Sequence, residues 1–329
     1  MNFPTAAAVW VAVTLSVAYL GERSGFGGWR FFVALAVAAA LFAFEFFLAA
    51  PRLQDRIVAW FGNRGGMFAP LVPLLAVLVY CFGVTGDWKM LLAGAAYALI
   101  PALLLASSRG KPPGTWEDYA AIVALWLPAW LEPRYRLLYH IFPYPPPLTH
   151  TLAILMALST GVAAFVLLRR LPGVGYAVEW RRGFTWNLAI NIIVFAAIAI
   201  PIGVKTGFLT WQPGLPHLRS APLSGTGAFL LSAVGILLFT AWPEEFFFRG
   251  LLQNLLTKTL KSDRAGLMVA SVIFGFAHIF HAPVPNWKYV FLATIAGIFY
   301  GRAWMKTGSL VPGALVHWLV DMLWHVLFR

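Results

Sequence analysis

Stretches of about 20 apolar residues, each long enough to cross a hydrocarbon core of about 30 Å, recur from one end of the sequence to the other. "AAAVWVAVTLSVAYL" (6–20), "FFVALAVAAALFAFEFFLAA" (31–50) and "LLAGAAYALIPALLLA" (91–106) are examples. They leave no room for a sizeable soluble domain. Of the 329 residues 60% are hydrophobic and only 11% charged, against about 25% charged in soluble domains. Within lipid every backbone N–H and C=O needs an internal partner, so a spanning segment is a helix or a strand of a closed barrel. The alternation of polar and apolar residues that a barrel strand requires is absent. The sequence therefore predicts an all-α, polytopic transmembrane helical bundle of about eleven spans, over 5–20, 30–50, 66–86, 88–107, 119–131, 146–168, 185–208, 224–257, 265–281, 288–305 and 309–328. The stretch 119–131 is short and holds Pro128, so a re-entrant or interfacial placement stays open for it.

A net charge of +12 raises the question of a nucleic-acid partner. The lysines and arginines, however, are scattered through short connections and not gathered on one face, as headgroup anchors are. A membrane surface is the expected partner, and no nucleic acid. With the N-terminus cytoplasmic and all eleven segments crossing, a majority of the basic residues share the cytoplasmic side, among them Arg52, Arg56, Arg109, Lys111, Arg169, Arg170, Arg181, Arg182, Lys258 and Arg264. That asymmetry favours an odd number of spans. The first 20 residues lack a basic leader and a clear cleavage site and read as a first span. The single cysteine, Cys81, lies in an apolar run and reads as a small buried hydrophobe.

Ionisable residues inside apolar segments cost at least about 2.5 kcal/mol each at bilayer depth, so each demands a reason. Glu45, Glu244, Glu245 and Asp321 are such residues, and His278, His281, His317 and His325 also fall in the last third of the chain. Glu45 has no partner visible in sequence and reads as one side of an interhelical hydrogen bond; His281 and His325, near segment ends, read as interfacial. The polar turn "TLKSDR" (259–264) joins two apolar helices. Counting about 1.5 Å per residue from it sets Glu244 and His278 at similar depth, about 23–28 Å along their helices. Glu245 and Arg249 stand four residues apart on one face, the spacing of an intrahelical ion pair, and His317 and Asp321 repeat it. Glu244, rotated by about 100°, is left out of that pair and reads as a candidate general base. A purely structural polar network or an ion pathway is the competing reading of the same cluster.

The motifs "EEFFFR" (244–249), "FGFAH" (274–278) and "HWLVD" (317–321) fit EExxxR, FxxxH and HxxxN/D. In this order on successive membrane helices they resemble the CPBP superfamily, the CAAX prenyl endopeptidases and bacteriocin-processing proteins, over about residues 224–329. The run "EEFFFRGLLQ" looks like bacterial members. That likeness implies intramembrane proteolysis in a cell membrane, that of a bacterial inner membrane by the motif's flavour. It implies that Glu244 with His278 activates a water, that His317 and Asp321 stabilise the oxyanion, and that Glu245 and Arg249 hold the helix in place. Asp321 stands where many relatives have Asn, and an ionised Asp321 would repel the oxyanion unless it acts by orienting His317.

Two alternatives remain at this level. Glu244, His278, His317 and Asp321 are all possible ligands of a catalytic zinc, although HExxH is absent; the preferred reading has no cofactor. The chain could also be a non-proteolytic membrane binder, an immunity protein or a transporter using the same cluster. The preferred partner is a peptide or membrane-protein substrate. Residues 185–329 are the expected catalytic core, and 1–184 an N-terminal transmembrane region without assigned role.

Overall fold

A proline at the first helical turn, a serine or asparagine cap or a left-handed residue marks the ends of most helices in this protein. The computed structural model describes residues 1–135, 137–214 and 225–328, and these divide into two compact units, Met1–Pro172 and Gly173–Arg329. Ser224, where the sequence begins one span, and Arg329 lie outside the described residues. The first unit contains α1 (Phe3–Arg23), α2 (Gly28–Leu48), α3 (Pro51–Phe68), α4 (Leu71–Tyr80), α5 (Trp88–Ser108), α6 (Trp116–Tyr135), α7 (Leu137–Ile141) and α8 (Pro146–Gly161), with π-helical turns extending α4 to Thr85 and α8 to Leu168. The second contains α9 (Phe184–Lys205), α10 (Gly225–Ile236), α11 (Trp242–Glu245), α12 (Asn254–Leu260), α13 (Asp263–Ala277), α14 (Trp287–Thr307) and α15 (Leu310–Leu327). Among the described residues the β content is one isolated bridge between Trp211 and Phe328. The fold is all-helical, as the continuous apolar runs require.

All eleven expected segments are helical where described, and among the described residues eight helical stretches are long and apolar enough to span a membrane. The other three are α6, α13 and α14. In α6, Glu117, Asp118, Glu132 and Arg134 confine the apolar part to its middle; α13 is only 15 residues long; α14 carries Lys288, Arg302 and Lys306. The stretch 51–65, expected as a loop, lies within α3: Pro51 opens the helix, and the following "RLQDRI" combines good helix formers with an amphipathic spacing. Large apolar side chains such as Phe82, 76% exposed, and Trp186, 72% exposed, point outward, as expected of a lipid-facing surface.

In the first unit two acidic groups inside are paired. Ser159 Oγ on α8 donates to Glu45 Oε1 on α2 at 2.8 Å, the interhelical bond expected for that glutamate. Cys81 is buried. Arg169, expected as a headgroup anchor, is instead buried. Its Nε and Nη2 donate to the two carboxylate oxygens of Asp118 at 2.7 and 3.2 Å, and Nη2 also donates to the Pro112 carbonyl at 3.1 Å. Asp118 accepts further bonds from the N–H groups of Gly114 and Thr115 at 2.9 and 3.1 Å. A fork-on-fork pair with every lone pair occupied is how a membrane protein keeps a charge out of water.

In the second unit, Pro243 interrupts the long rod Gly225–Leu260. Proline supplies no N–H and its ring crowds the carbonyl four residues back, and the backbone answers with π-helical turns at Leu237–Ala241 and Phe246–Gln253. The rod turns back at Lys261, whose left-handed φ of 51° ends α12. Ser262 then caps α13 by accepting from Ala265 N, and Asn286 caps α14 by accepting from Tyr289 N. α13 and α14 pack closely because α13 presents glycine at the contact. A Cβ on Gly275 would lie 2.6 Å from the Val290 carbonyl oxygen and would also strike Thr294. Small residues at such crossings let helix backbones approach where no hydrophobic effect draws them together.

Removing one side of the Asp118–Arg169 pair strands the other charge in the interior, at a cost of about 3–5 kcal/mol. Asp118→Ala is expected to lower the thermal midpoint of the detergent-solubilised protein markedly, and the double change Asp118→Leu with Arg169→Met to recover part of the loss. Burial alone would raise the Asp118 pKa, but the Arg169 guanidinium and the two N–H donors outweigh it and hold the carboxyl below its ordinary value. A carboxyl depressed in the folded state contributes stability above its unfolded pKa of about 4 and loses it as pH falls further. Thermal midpoints measured from pH 7 downward are therefore expected to drop at acid pH in the wild type, and to drop less in the double variant.

Candidate active site

The widened turn after Pro243 places three charges of one helix within reach of α15. Glu245 and Arg249 are fully buried, and Arg249 Nε donates to Glu245 Oε2 at 3.1 Å. This is the i, i+4 pair expected from the spacing. The second oxygen of the same carboxylate, Oε1, lies 3.1 Å from His317 Nδ1 on α15. A carboxylate only accepts, so Nδ1–H is the donor. Glu245 thus bridges Arg249 and His317, a link across two helices that intrahelical spacing does not reveal.

α15 comes close enough to Glu245 because it has no side chain at Gly313, where a Cβ would lie 3.0 Å from Glu245 Oε2. The terminal nitrogens Nη1 and Nη2 of Arg249 have no hydrogen-bond partner among the described residues. The guanidinium carbon instead lies 4.9 Å from the ring centre of Phe274, 5.9 Å from that of Tyr300 and 6.0 Å from that of Phe248. Aromatic faces carry negative charge density and stabilise a desolvated cation.

With Nδ1 held by Glu245, His317 presents Nε2 to the other two carboxylates. Asp321 Oδ2 is 3.6 Å away and Glu244 Oε2 3.9 Å. Both separations exceed a direct hydrogen bond and suit a bridging atom. Glu244 and Asp321 are less enclosed than His317, at 34% and 20% side-chain exposure against 4%. His278, just past the end of α13, has Nδ1 2.9 Å from the Phe274 carbonyl oxygen. Because a carbonyl only accepts, Nδ1 carries the proton and neutral His278 keeps Nε2 as an acceptor.

His278, His317 and Asp321 line one cavity of about 700 Å³ counted with its open mouth, whose remaining walls are largely apolar and come from α9, α14 and α15. An apolar lining with a few convergent polar groups is that of a small-ligand or peptide side-chain site. Glu244 is not in the cavity wall and meets the site through His317. The structure brings Glu244, Glu245, Arg249, His317 and Asp321 into one network and sets His278 at the same cavity, with no direct bond between Glu244 and His278 among the described residues.

His281 is exposed beyond α13, its ring stacked 5.6 Å from that of His278. His325, also exposed, has Nδ1 2.8 Å from the Asp321 carbonyl oxygen. Among the described residues no group of three or more His, Cys, Asp or Glu side chains is arranged to hold a metal ion. The four alternative zinc ligands are thus not gathered as a ligand set in this arrangement.

Two aromatic residues at the site were not visible from motif spacing. Tyr300 stacks on His317 with ring centres 4.5 Å apart at 16°, and Tyr289 lies 4.6 Å from the His278 ring. Both belong to α14, which carries none of the three motifs. The available signal was the placement of tyrosines within a membrane segment, where a hydroxyl needs a polar environment.

Glu245→Gln keeps the shape of the bridge and removes its charge. The change leaves the Arg249 guanidinium buried without a counter-ion, a cost of about 3–5 kcal/mol. Thermal unfolding in detergent is expected to show the loss, and pairing it with Arg249→Met to return part of it; equal stability of Glu245→Gln and wild type would remove the bridge from its structural role.

Residues 226–323 match the family model described as Rce1-like, type II CAAX prenyl endopeptidase Rce1-like. No curated protein and no solved structure matches the chain. The matched segment runs from α10 into α15 and contains Glu244, Glu245, Arg249, His278, His317 and Asp321 together. Over that segment the chain is similar to the Rce1-like type II CAAX prenyl endopeptidases, in keeping with the CPBP superfamily that its three motifs resemble.

Proposed function

We propose that the protein is an intramembrane endopeptidase that hydrolyses a peptide bond of a membrane-associated protein or peptide. The observation that carries this reading is His317, with Nδ1 bound to Glu245 and Nε2 facing the carboxylates of Glu244 and Asp321, at a cavity that His278 shares, inside the segment that matches the Rce1-like model.

The roles follow from which atoms can give and take protons. Glu244, a carboxylate outside the Glu245–Arg249 pair whose side chain is 34% exposed, is the general base and takes a proton from water. His278 Nε2, an acceptor, receives the other O–H and aims the oxygen. As the water oxygen bonds to the carbonyl carbon, the C=O π pair moves onto oxygen, and His317 Nε2–H donates to that oxyanion. His317 can donate from Nε2 while Nδ1 donates to Glu245 only as the imidazolium. Asp321 beside Nε2 keeps that proton in place, which gives an aspartate a use where an asparagine would donate directly. The C=O re-forms, the C–N bond breaks, and Glu244 returns its proton to the leaving amine. With His317 charged, the three carboxylates face two cations, so the base is not smothered by excess positive charge.

Glu244→Gln in proteoliposomes is expected to lower cleavage of a membrane-tethered peptide by about two to four orders of magnitude, the usual worth of a general base, with the thermal midpoint unchanged. Full turnover by this variant would remove Glu244 from the role of general base, whereas a wild type that cleaves nothing would leave a binding or transport role. A chelator titration separates the mechanisms: activity is expected to survive it, and loss restored only by zinc would replace the glutamate mechanism with a metal one.

A further inference from the structure

α14 holds no residue of the three motifs, yet one of its faces runs along the whole cavity. Tyr289, Leu292, Ala293, Ala296 and Tyr300 all line it, at positions i, i+3, i+4, i+7 and i+11 of a single helical stripe. The stripe has large rings at its two ends, with Leu292 and two alanines between them. Tyr300 sits against one histidine and Tyr289 against two. Tyr300 lies nearly parallel to His317, 4.5 Å between ring centres at 16°. Tyr289 lies 4.6 Å from His278 at 46° and 5.0 Å from His281.

Other contacts hold the tyrosines themselves. Tyr300 is 2% exposed, and its ring centre lies 5.9 Å from Phe274 and 5.9 Å from the Arg249 guanidinium carbon. Tyr289 packs on Trp324 and Phe208 at 5.2 Å each.

Among the described residues each histidine has one ring nitrogen in a direct hydrogen bond: Nδ1 of His317 with Glu245 and Nδ1 of His278 with the Phe274 carbonyl. One hydrogen bond restrains an imidazole through a single soft distance and leaves its ring room to rock about the two side-chain torsions. A ring packed against the imidazole, face to face for Tyr300 and tilted at 46° for Tyr289, limits that rocking and so directs the opposite nitrogen, Nε2. We infer that Tyr300 and Tyr289 are positioning residues that lock the ring planes of His317 and His278, so that α14 aims both Nε2 atoms into the cavity. The inference rests on the endopeptidase reading for its catalytic consequence, but the ring locking itself does not.

Two measurements on full-length protein in detergent or proteoliposomes test it. The first is kinetic. Tyr300→Leu and Tyr289→Leu are expected to lower kcat by about tenfold or more with KM within about twofold, because alignment acts on the reacting geometry and not on binding. Tyr300→Phe and Tyr289→Phe, which keep the rings, are expected to stay within about threefold of wild type. The second needs no turnover: labelling by diethyl pyrocarbonate, mapped by mass spectrometry, is expected to reach His317 faster in Tyr300→Leu and His278 faster in Tyr289→Leu, and at the wild-type rate in the Phe variants.

Should Tyr300→Leu fail to fold, Tyr300→Met takes its place in both measurements. Leu variants that keep kcat, or that leave labelling of their histidine unchanged, would overturn the inference. So would Phe variants as impaired as the Leu ones, since the hydroxyl and not the ring would then be at work. A wild type that cleaves nothing while the labelling shifts as stated would instead count against the endopeptidase reading alone.

Discussion

The carboxylate of Glu245 is the constraint on which the rest of the second unit depends. It is fully buried, and its two oxygens accept from side chains on two helices: Arg249 on its own rod and His317 on α15. Without it, Arg249 would be an enclosed cation with only aromatic faces for company, and His317 would have no fixed proton at Nδ1. Two helices are thereby registered against each other at one point, in a medium where apolar packing alone distinguishes poorly between registers. The absent side chain at Gly313 makes the approach possible, and the π-helical turn after Pro243 provides the backbone on which both charges can point inward.

The site grades from enclosed to open around this point. Arg249 and Glu245 are sealed, His317 nearly so, and Asp321 and Glu244 partly accessible. That order suits hydrolysis in a membrane, where orienting groups must be rigid and dry while the base must meet water. Phe274 sits at the centre, against Arg249, His278, His317 and Tyr300. A single aromatic ring thus separates the cationic support from the two histidines and gives the FxxxH spacing a physical sense: its first residue is the packing hub and its last the group that faces the cavity.

Much of the fold was legible in the sequence because bilayer chemistry allows few choices. Helices arise at all eleven apolar segments, and the turn at 259–264 and the caps at Ser262 and Ser309 stand where their residue types place them. The Glu245–Arg249 pair was also legible, since i, i+4 is a property of one helix. Arg169 differs from its expected role because its partner, Asp118, is 51 residues away in sequence, and nothing local distinguishes a paired arginine from a headgroup anchor. The helical state of 51–65 escapes sequence reading for a related reason: polarity predicts a loop there, whereas the same residues form an amphipathic helix.

Residue types and spacing within single helices determined that this chain crosses a membrane, that its chemistry is concentrated in the last third, and which six ionisable residues belong together. Only the tertiary structure decided which of them touch. Glu245 and not Asp321 holds His317 Nδ1, Glu244 meets the site through His317, and the tyrosines of α14 face the histidines of its neighbours. The reason is geometric: periodicity gives the face on which a residue lies, whereas a contact between helices depends on crossing angle, depth and the small residues that let backbones meet.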